Sequence, residues 1–238
     1  MSATDKLYGW RAVPRNPSVA LQGKSKLVDP VPFSPADIDF PDTELVRQSL
    51  ARVQKELPTE TLNHSFRVYY YGMSIIRTQF PHWLSDGWID AETWLLVSLF
   101  HDIGTTQENL RATNMSFDLW GGIEALQTLL RFGANKSQAE SVAEAIIRHQ
   151  DPGETGTLSC VGLLVQISTL FDNAGHHKEL VHPDTIRNVV EKYPRSGWSG
   201  CFAKTIRQEI ALKPWAHSTA IDRFAEMVED NALMKEYE

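Results

Sequence analysis

Four ionisable side chains stand out because each interrupts an apolar run. They are His64 in Asn63-His64-Ser65, the pair His101-Asp102 in Leu99-Phe100-His101-Asp102-Ile103-Gly104-Thr105, and Asp172 in Leu170-Phe171-Asp172-Asn173. Burying an imidazole or a carboxylate is costly unless something compensates it. No Lys or Arg lies close to Asp102 or Asp172 in the sequence, so local ion pairing does not supply the compensation. A shared divalent metal would, because it brings local positive charge and takes nitrogen and oxygen ligands together. His64, His101, Asp102 and Asp172 are therefore the candidate ligands. A metal held in this way lowers the pKa of a bound water to about 7 and yields hydroxide at neutral pH.

Helices must position these groups. Asp42 can cap a first helix with Leu45, Val46, Leu50, Val53 and Leu57 on one face. A second follows Pro58 and carries His64, with Val68, Met73, Ile75 and Ile76 turned to the core. Asp90 can cap a third over residues 91–103, ended by Gly104, which places His101 and Asp102 in its last turn. Ser116 opens a fourth through Ile123, Leu126 and Leu130 to Gly133. Ser137 and Glu140 read as a capping box ahead of Val142, Ala145, Ile146 and His149. Residues 158–171 are apolar enough for a central buried helix that stops near Gly175. Pro183 suits the first turn of a helix over 184–193, and two more span 200–212 and 216–231. No alternating strand pattern competes; residues 161–170 have strand-like composition but helical length. The expected fold class is all-α, with one helical domain over residues 42–238.

Residues 1–41 read differently. Pro14, Pro17, Pro30, Pro32, Pro35 and Pro41 discourage helix there, so an extended arm is expected. Trp10, Val13, Val19 and Leu21 could pin it to the core or to a second subunit, which would fit a homodimer. The net charge of -7, with no Lys/Arg cluster, argues against nucleic acid as a partner, though less strongly against a single nucleotide. No apolar run approaches the roughly 20 residues needed to cross a bilayer. The start, Met1 to Lys6, lacks a basic-then-apolar leader pattern, so no membrane association and a cytoplasmic location are the default. Cys160 and Cys201 are isolated and read as small core residues.

The order His64, His101-Asp102, Asp172 resembles the HD-domain superfamily of metal-dependent hydrolases and lyases, over residues 42–173. The resemblance implies a helical bundle with the metal between its helices. A closer similarity is to fungal cyanamide hydratases. It is carried by Leu62-Asn63-His64-Ser65-Phe66-Arg67-Val68-Tyr69, Ile75-Ile76-Arg77-Thr78-Gln79-Phe80-Pro81, Phe100-His101-Asp102-Ile103-Gly104-Thr105-Thr106 and Ile147-Arg148-His149-Gln150-Asp151. It implies addition of water to the nitrile of cyanamide, giving urea. Two-metal members carry a further histidine where this chain has Phe117, ahead of Gly121-Gly122, so a single metal is expected although His149 falls at another such position. Zinc is the first choice, while iron, manganese and nickel use similar ligands.

For such a reaction Asp102 and His149 are the candidates for proton transfer, and Thr105 and Asn114 for orienting cyanamide. His82, His176, His177, His182 and His217 are expected outside the site, with His176-His177 in a polar, solvent-facing loop. Tyr69, Tyr70, Tyr71, Trp94, Phe100, Phe117 and Trp120 could wall a tight pocket or simply pack the core. The alternative enzyme is a nucleotide phosphohydrolase. It would need cations for phosphate, for which Arg67 and Arg111 are available, but Thr105 and Thr106 stand where such enzymes often carry Lys or Glu. A non-catalytic HD scaffold is the third reading.

Overall fold

Thr43, not Asp42, opens the first long helix: its hydroxyl accepts from Val46 N, while Asp42 pairs with Arg47. The computed structural model describes residues 7–38, 40–151 and 153–238, so Met1 to Lys6 of the arm, Asp39 and Pro152 lie outside the described residues. In chain order the helices are α1 (Pro17–Ala20), α2 (Glu44–Glu56), α3 (Thr59–Gln79), α4 (Pro81–Ser85), α5 (Ala91–Phe100), α6 (Gln107–Ala112), α7 (Phe117–Arg131), α8 (Lys136–Arg148), α9 (Cys160–Ala174), α10 (Pro183–Lys192), α11 (Trp198–Leu212) and α12 (Phe224–Glu229). The fold is all-α, as the periodicity predicts.

The caps explain several boundaries. Asp90 receives Thr93 N at the start of α5, and Pro183 occupies the first turn of α10. Asn135 caps α8 by accepting from Ser137 N, so the expected Ser137-Glu140 box is not the device used. Gly175 ends α9 at φ 69, a left-handed conformation that glycine adopts without a Cβ penalty. Residues 216–231 do not form one helix. A 3-10 turn over His217–Ala220 precedes α12, and Arg223 between them has φ 48, which interrupts helical propagation.

α3, α5 and α9 pack on one another at the centre, with α8 against α5 and α9, and α7 against α8. Every residue of α5 from Thr93 to Phe100 is buried, and in α9 only Leu170 and Ala174 are partly exposed. A helix apolar all round must be enclosed by others. Gly72 allows α3 and α5 to approach closely, since a Cβ there would lie 2.1 Å from Trp94 Cζ2. Trp94 satisfies its own indole by donating to the Tyr69 carbonyl at 3.0 Å. A smaller apolar cluster joins Leu110, Phe117, Trp198, Phe202, Ile206 and Phe224 beside the site.

The arm is anchored to this bundle. Ala12–Pro14 (β1) pairs antiparallel with Thr157–Ser159 (β2), a short ribbon that the sequence pattern does not announce. Trp10 Nε1 donates to the carbonyl and hydroxyl of Ser137, and Val13 and Leu21 are buried. Val19 instead faces solvent. Cys160 is buried, with its thiol on the Gly9 carbonyl and pushed up to about 12, chiefly by burial; Cys201 is partly exposed. Among the described residues, no helix is long and apolar enough to cross a membrane.

Candidate functional site

α5 ends at Phe100, one turn earlier than the apolar run suggests. His101 caps it, Asp102 leaves the helix at φ -104 and ψ 12, and Ile103–Thr105 form a 3-10 turn. The turn is held by Thr105, whose hydroxyl donates to the Asp102 carbonyl at 2.7 Å. It sits tightly on α7, since a Cβ on Gly104 would lie 2.1 Å from the Phe117 carbonyl oxygen. These contacts aim the Asp102 carboxylate inward, toward α3.

Three imidazoles face that carboxylate, each with one nitrogen already committed. His101 Nδ1 donates to the Ser98 carbonyl at 2.8 Å, and His149 Nδ1 to the Ile146 carbonyl at 2.6 Å. Both use a carbonyl three residues back in the last turn of the preceding helix. His64 Nδ1 donates to Asp172 Oδ2 at 2.6 Å. The Nε2 atoms are thereby left as lone pairs. His64 Nε2 is 3.1 Å from His101 Nε2, and Asp102 Oδ2 is 3.6 Å from the former and 3.4 Å from the latter. His149 Nε2 lies 4.0 Å from Asp102 Oδ1.

The electrostatics of this arrangement suit a cation. Both Asp102 oxygens are buried and accept no hydrogen bond. Burial pushes the Asp102 carboxyl up, with His64 and His149 opposing it. Burial lowers His64 to about 4, partly offset by Asp172, and lowers His101 to about 3. Neutral imidazoles and an unpartnered carboxylate are a donor set that could hold a divalent metal. Ligands at about 2.1 Å from a tetrahedral ion stand roughly 3.4 Å apart, close to the three separations among His64, His101 and Asp102. Their donor atoms all fall within 4.8 Å of one another.

Asp172 occupies a different position from the other three expected ligands. Its Oδ1 accepts from Arg195 Nη1 at 2.7 Å and its Oδ2 from Arg67 Nη2 at 2.9 Å, besides His64. All four side chains are fully buried. Burial alone would raise this carboxyl, but Arg67, Arg195 and His64 hold it well below the usual carboxylate range. The absence of nearby cations in the sequence was misleading: Arg67 and Arg195 lie 105 and 23 residues from Asp172 and converge only through the fold. Asp172 thus stands behind His64 and fixes its tautomer. Trp198 stacks on the same ring at 4.3 Å and donates through Nε1 to Asn173.

His149 also lines a cleft of about 370 Å³, together with Gln150, Gln166, Thr169 and Asn173 and with Arg15 of the arm. Leu170, Phe224 and Met227 give it an apolar side. His176 and His177 lie at this cleft too; His176 is exposed and His177 half-buried. Asn114 is not brought here. It is exposed on the turn before α7, and its carbonyl accepts from Trp215 Nε1. Phe117 packs against His149 at 5.9 Å. His217, expected to be uninvolved, holds the buried Asp118 at 2.5 Å beside the cleft loop. Tyr69, Tyr70 and Tyr71 are core residues.

No family model matches the chain. It is 40% identical over 223 residues to each of two cyanamide hydratases of Saccharomyces cerevisiae, a match that covers 93% of this chain and 95% of each relative.

Proposed function

Because the chain belongs to the cyanamide hydratase family, we propose that it adds water to the nitrile of cyanamide to give urea, with one divalent metal, zinc by first choice, held by His64, His101 and Asp102. The observation that supports the metal is the buried Asp102 carboxylate, without a donor, between imidazoles whose Nδ1 atoms are spent. The order of the donors and the helical bundle around them agree with the HD-domain resemblance.

A zinc ion bound there supplies Lewis acidity that brings a water's pKa to about 7. The residues do the rest. His149 Nε2, a lone pair on a ring that lines the cleft, takes a proton from water as the oxygen attacks the nitrile carbon. One C≡N π bond becomes a nitrogen lone pair, and the same imidazole returns the proton to that nitrogen. The product is isourea, and transfer of its O–H proton to nitrogen gives urea. Asp102 Oδ1 faces His149 and stabilises the imidazolium while it carries the proton. Asp172 holds the His64 ring so that its Nε2 stays a lone pair, as outer carboxylates do for metal-bound histidines. Thr105 keeps the Asp102 turn in place, and Asn114 has no part in this reading.

The phosphohydrolase alternative loses the two cations that the sequence offers it. Arg67 is committed to Asp172, and Arg111 is exposed and outside the cleft. The test is incubation of metal-analysed protein with cyanamide beside a His101→Ala control. Urea from the wild type, about one metal per chain, and loss of both in the variant are the expected results. Metal-loaded wild type that makes no urea would exclude the hydratase reading and bring nucleoside monophosphates forward.

A further inference from the structure

Two glutamines on the cleft wall have no place in the metal's donor set. Gln166 of α9 is 7% exposed, and its Nε2 donates to the Arg148 carbonyl at 2.7 Å. That bond settles which end of the amide is which, because only nitrogen can donate to a carbonyl. Oε1 is left as the free acceptor, in a side chain tethered to the residue that precedes His149. Gln150 follows His149 directly and lines the same cleft. It is 9% exposed, and its Oε1 is buried with no donor. The neighbouring hydroxyl does not relieve either oxygen, since Thr169 donates back to its own helix, to the Val165 carbonyl at 2.8 Å. Two amide oxygens without donors therefore flank the imidazole proposed to move the proton.

A buried acceptor without a donor, as at Gln150, is costly, and the cost is recovered when a ligand brings the missing N–H; the Gln166 oxygen lines the cleft with its amide orientation already fixed. Cyanamide carries its two N–H bonds on the amino nitrogen only; its nitrile nitrogen can only accept. Conjugation of the amino lone pair with the nitrile makes those N–H groups better donors. We propose that Gln166, seconded by Gln150, binds the amino end of the substrate. These residues then select nitriles that bear N–H, namely cyanamide and its singly substituted derivatives, against alkyl nitriles. The inference rests on the hydratase reading above and adds to it a specificity device. Holding the amino end at the glutamines turns the electrophilic carbon toward His149 and Asp102. Acetonitrile has nearly the same shape but a methyl group in place of the amino group, so it would leave both oxygens unpaired. Sites built to hydrogen-bond a substrate group reject analogues without it far better than apolar pockets reject a missing methylene.

The experiment compares cyanamide and acetonitrile on metal-loaded wild type, Gln166→Met and Gln150→Met, with metal content and melting temperature recorded for each. Acetonitrile should inhibit the wild type only at concentrations at least 100-fold above the KM for cyanamide. Gln166→Met should raise that KM tenfold or more, with a smaller change in kcat, and leave inhibition by acetonitrile unchanged. Gln150→Met should act in the same direction more weakly. The inference is overturned if acetonitrile inhibits the wild type near the cyanamide KM, a measurement that needs no variant. It is also overturned if both variants keep the wild-type KM while making urea. Absence of urea from metal-loaded wild type would instead overturn the hydratase reading on which it rests.

Discussion

His64 Nε2 and His101 Nε2 lie 3.1 Å apart with no proton between them, because both rings carry their proton on the far nitrogen. Two facing lone pairs repel, and a buried carboxylate beside them adds to the cost. The fold maintains this arrangement with an acceptor behind each ring, which makes the geometry a property of the scaffold rather than of a chance rotamer.

Metal should therefore stabilise the protein, because it binds the folded donors and has no preformed site in the unfolded chain. The gain grows as RT ln(1 + [L]/Kd), about 2.7 kcal/mol at a hundredfold excess over Kd. Zinc added to stripped wild type is expected to raise the melting temperature by several degrees. His64→Ala should abolish that response. Thermal melts with and without chelator check this.

Asp172→Asn tests the outer carboxylate. The substitution leaves Arg67 and Arg195 buried without their anion, and breaking one side of a buried pair costs about 3–5 kcal/mol. It also exchanges one of the two acceptor oxygens for an NH2 and takes the charge from behind His64, and such a change behind a metal-bound histidine typically weakens metal binding about 10–100-fold. Denaturant melts of the stripped protein and competitive zinc titration separate the two effects. An unchanged zinc affinity would remove Asp172 from any role at the metal.

The three inner donors could be read in the sequence because each breaks an apolar run, a signal that survives without coordinates. The surroundings of Asp172 could not. Arg67 lies one turn beyond His64 on α3, yet nothing in the chain indicates that its guanidinium meets a residue on α9. Gln166 carries no sequence signal, since glutamine is ordinary in helices, and Gln150 enters only as a member of the string around His149; what distinguishes them is burial at the cleft, with no donor for the Gln150 oxygen. Asn114 failed for the opposite reason, because proximity to the motif along the chain did not become proximity in space. The β1–β2 ribbon was equally hidden, being three residues on each side and formed between distant segments.

The stripped protein should lose stability as pH falls from 7 to 5. His64 and His101 titrate at about 4 and about 3 in the folded chain, against about 6.5 unfolded. In this window the unfolded chain takes up protons that the folded chain refuses, so the contribution is complete above pH 6.5 and falls below it. At pH 5 the loss is about 2 kcal/mol for each ring. Asp102, raised by burial, opposes this as a single group, and Asp172, held low, adds its loss only below about pH 4. Melts across pH should show the decline, with a shallower slope for His101→Ala.

Gly104→Ala should damage both fold and site. The new Cβ would meet the Phe117 carbonyl, which is helix backbone and cannot rotate away. Forcing volume into such a contact costs about 1–3 kcal/mol, and relief requires the Ile103–Thr105 turn to move off α7, carrying Asp102 with it. A lower melting temperature together with weaker zinc binding is expected; a lower melting temperature with unchanged zinc affinity would mean that the turn yields without moving Asp102.

His149→Ala separates binding from chemistry. The ring stands 4.0 Å from Asp102 and outside the close set of His64, His101 and Asp102. Its proton is fixed on Nδ1 by the Ile146 carbonyl, which leaves Nε2 to act as a base. Removing a positioned general base costs about 10²–10⁴ in rate, whereas removing a ligand empties the site. The variant is expected to keep its zinc stoichiometry and to lose urea formation by at least about a hundredfold. A variant that no longer holds zinc would make His149 a ligand. One that holds zinc and turns over at the wild-type rate would transfer the proton to Asp102, whose Oδ1 lies 4.0 Å from His149 Nε2.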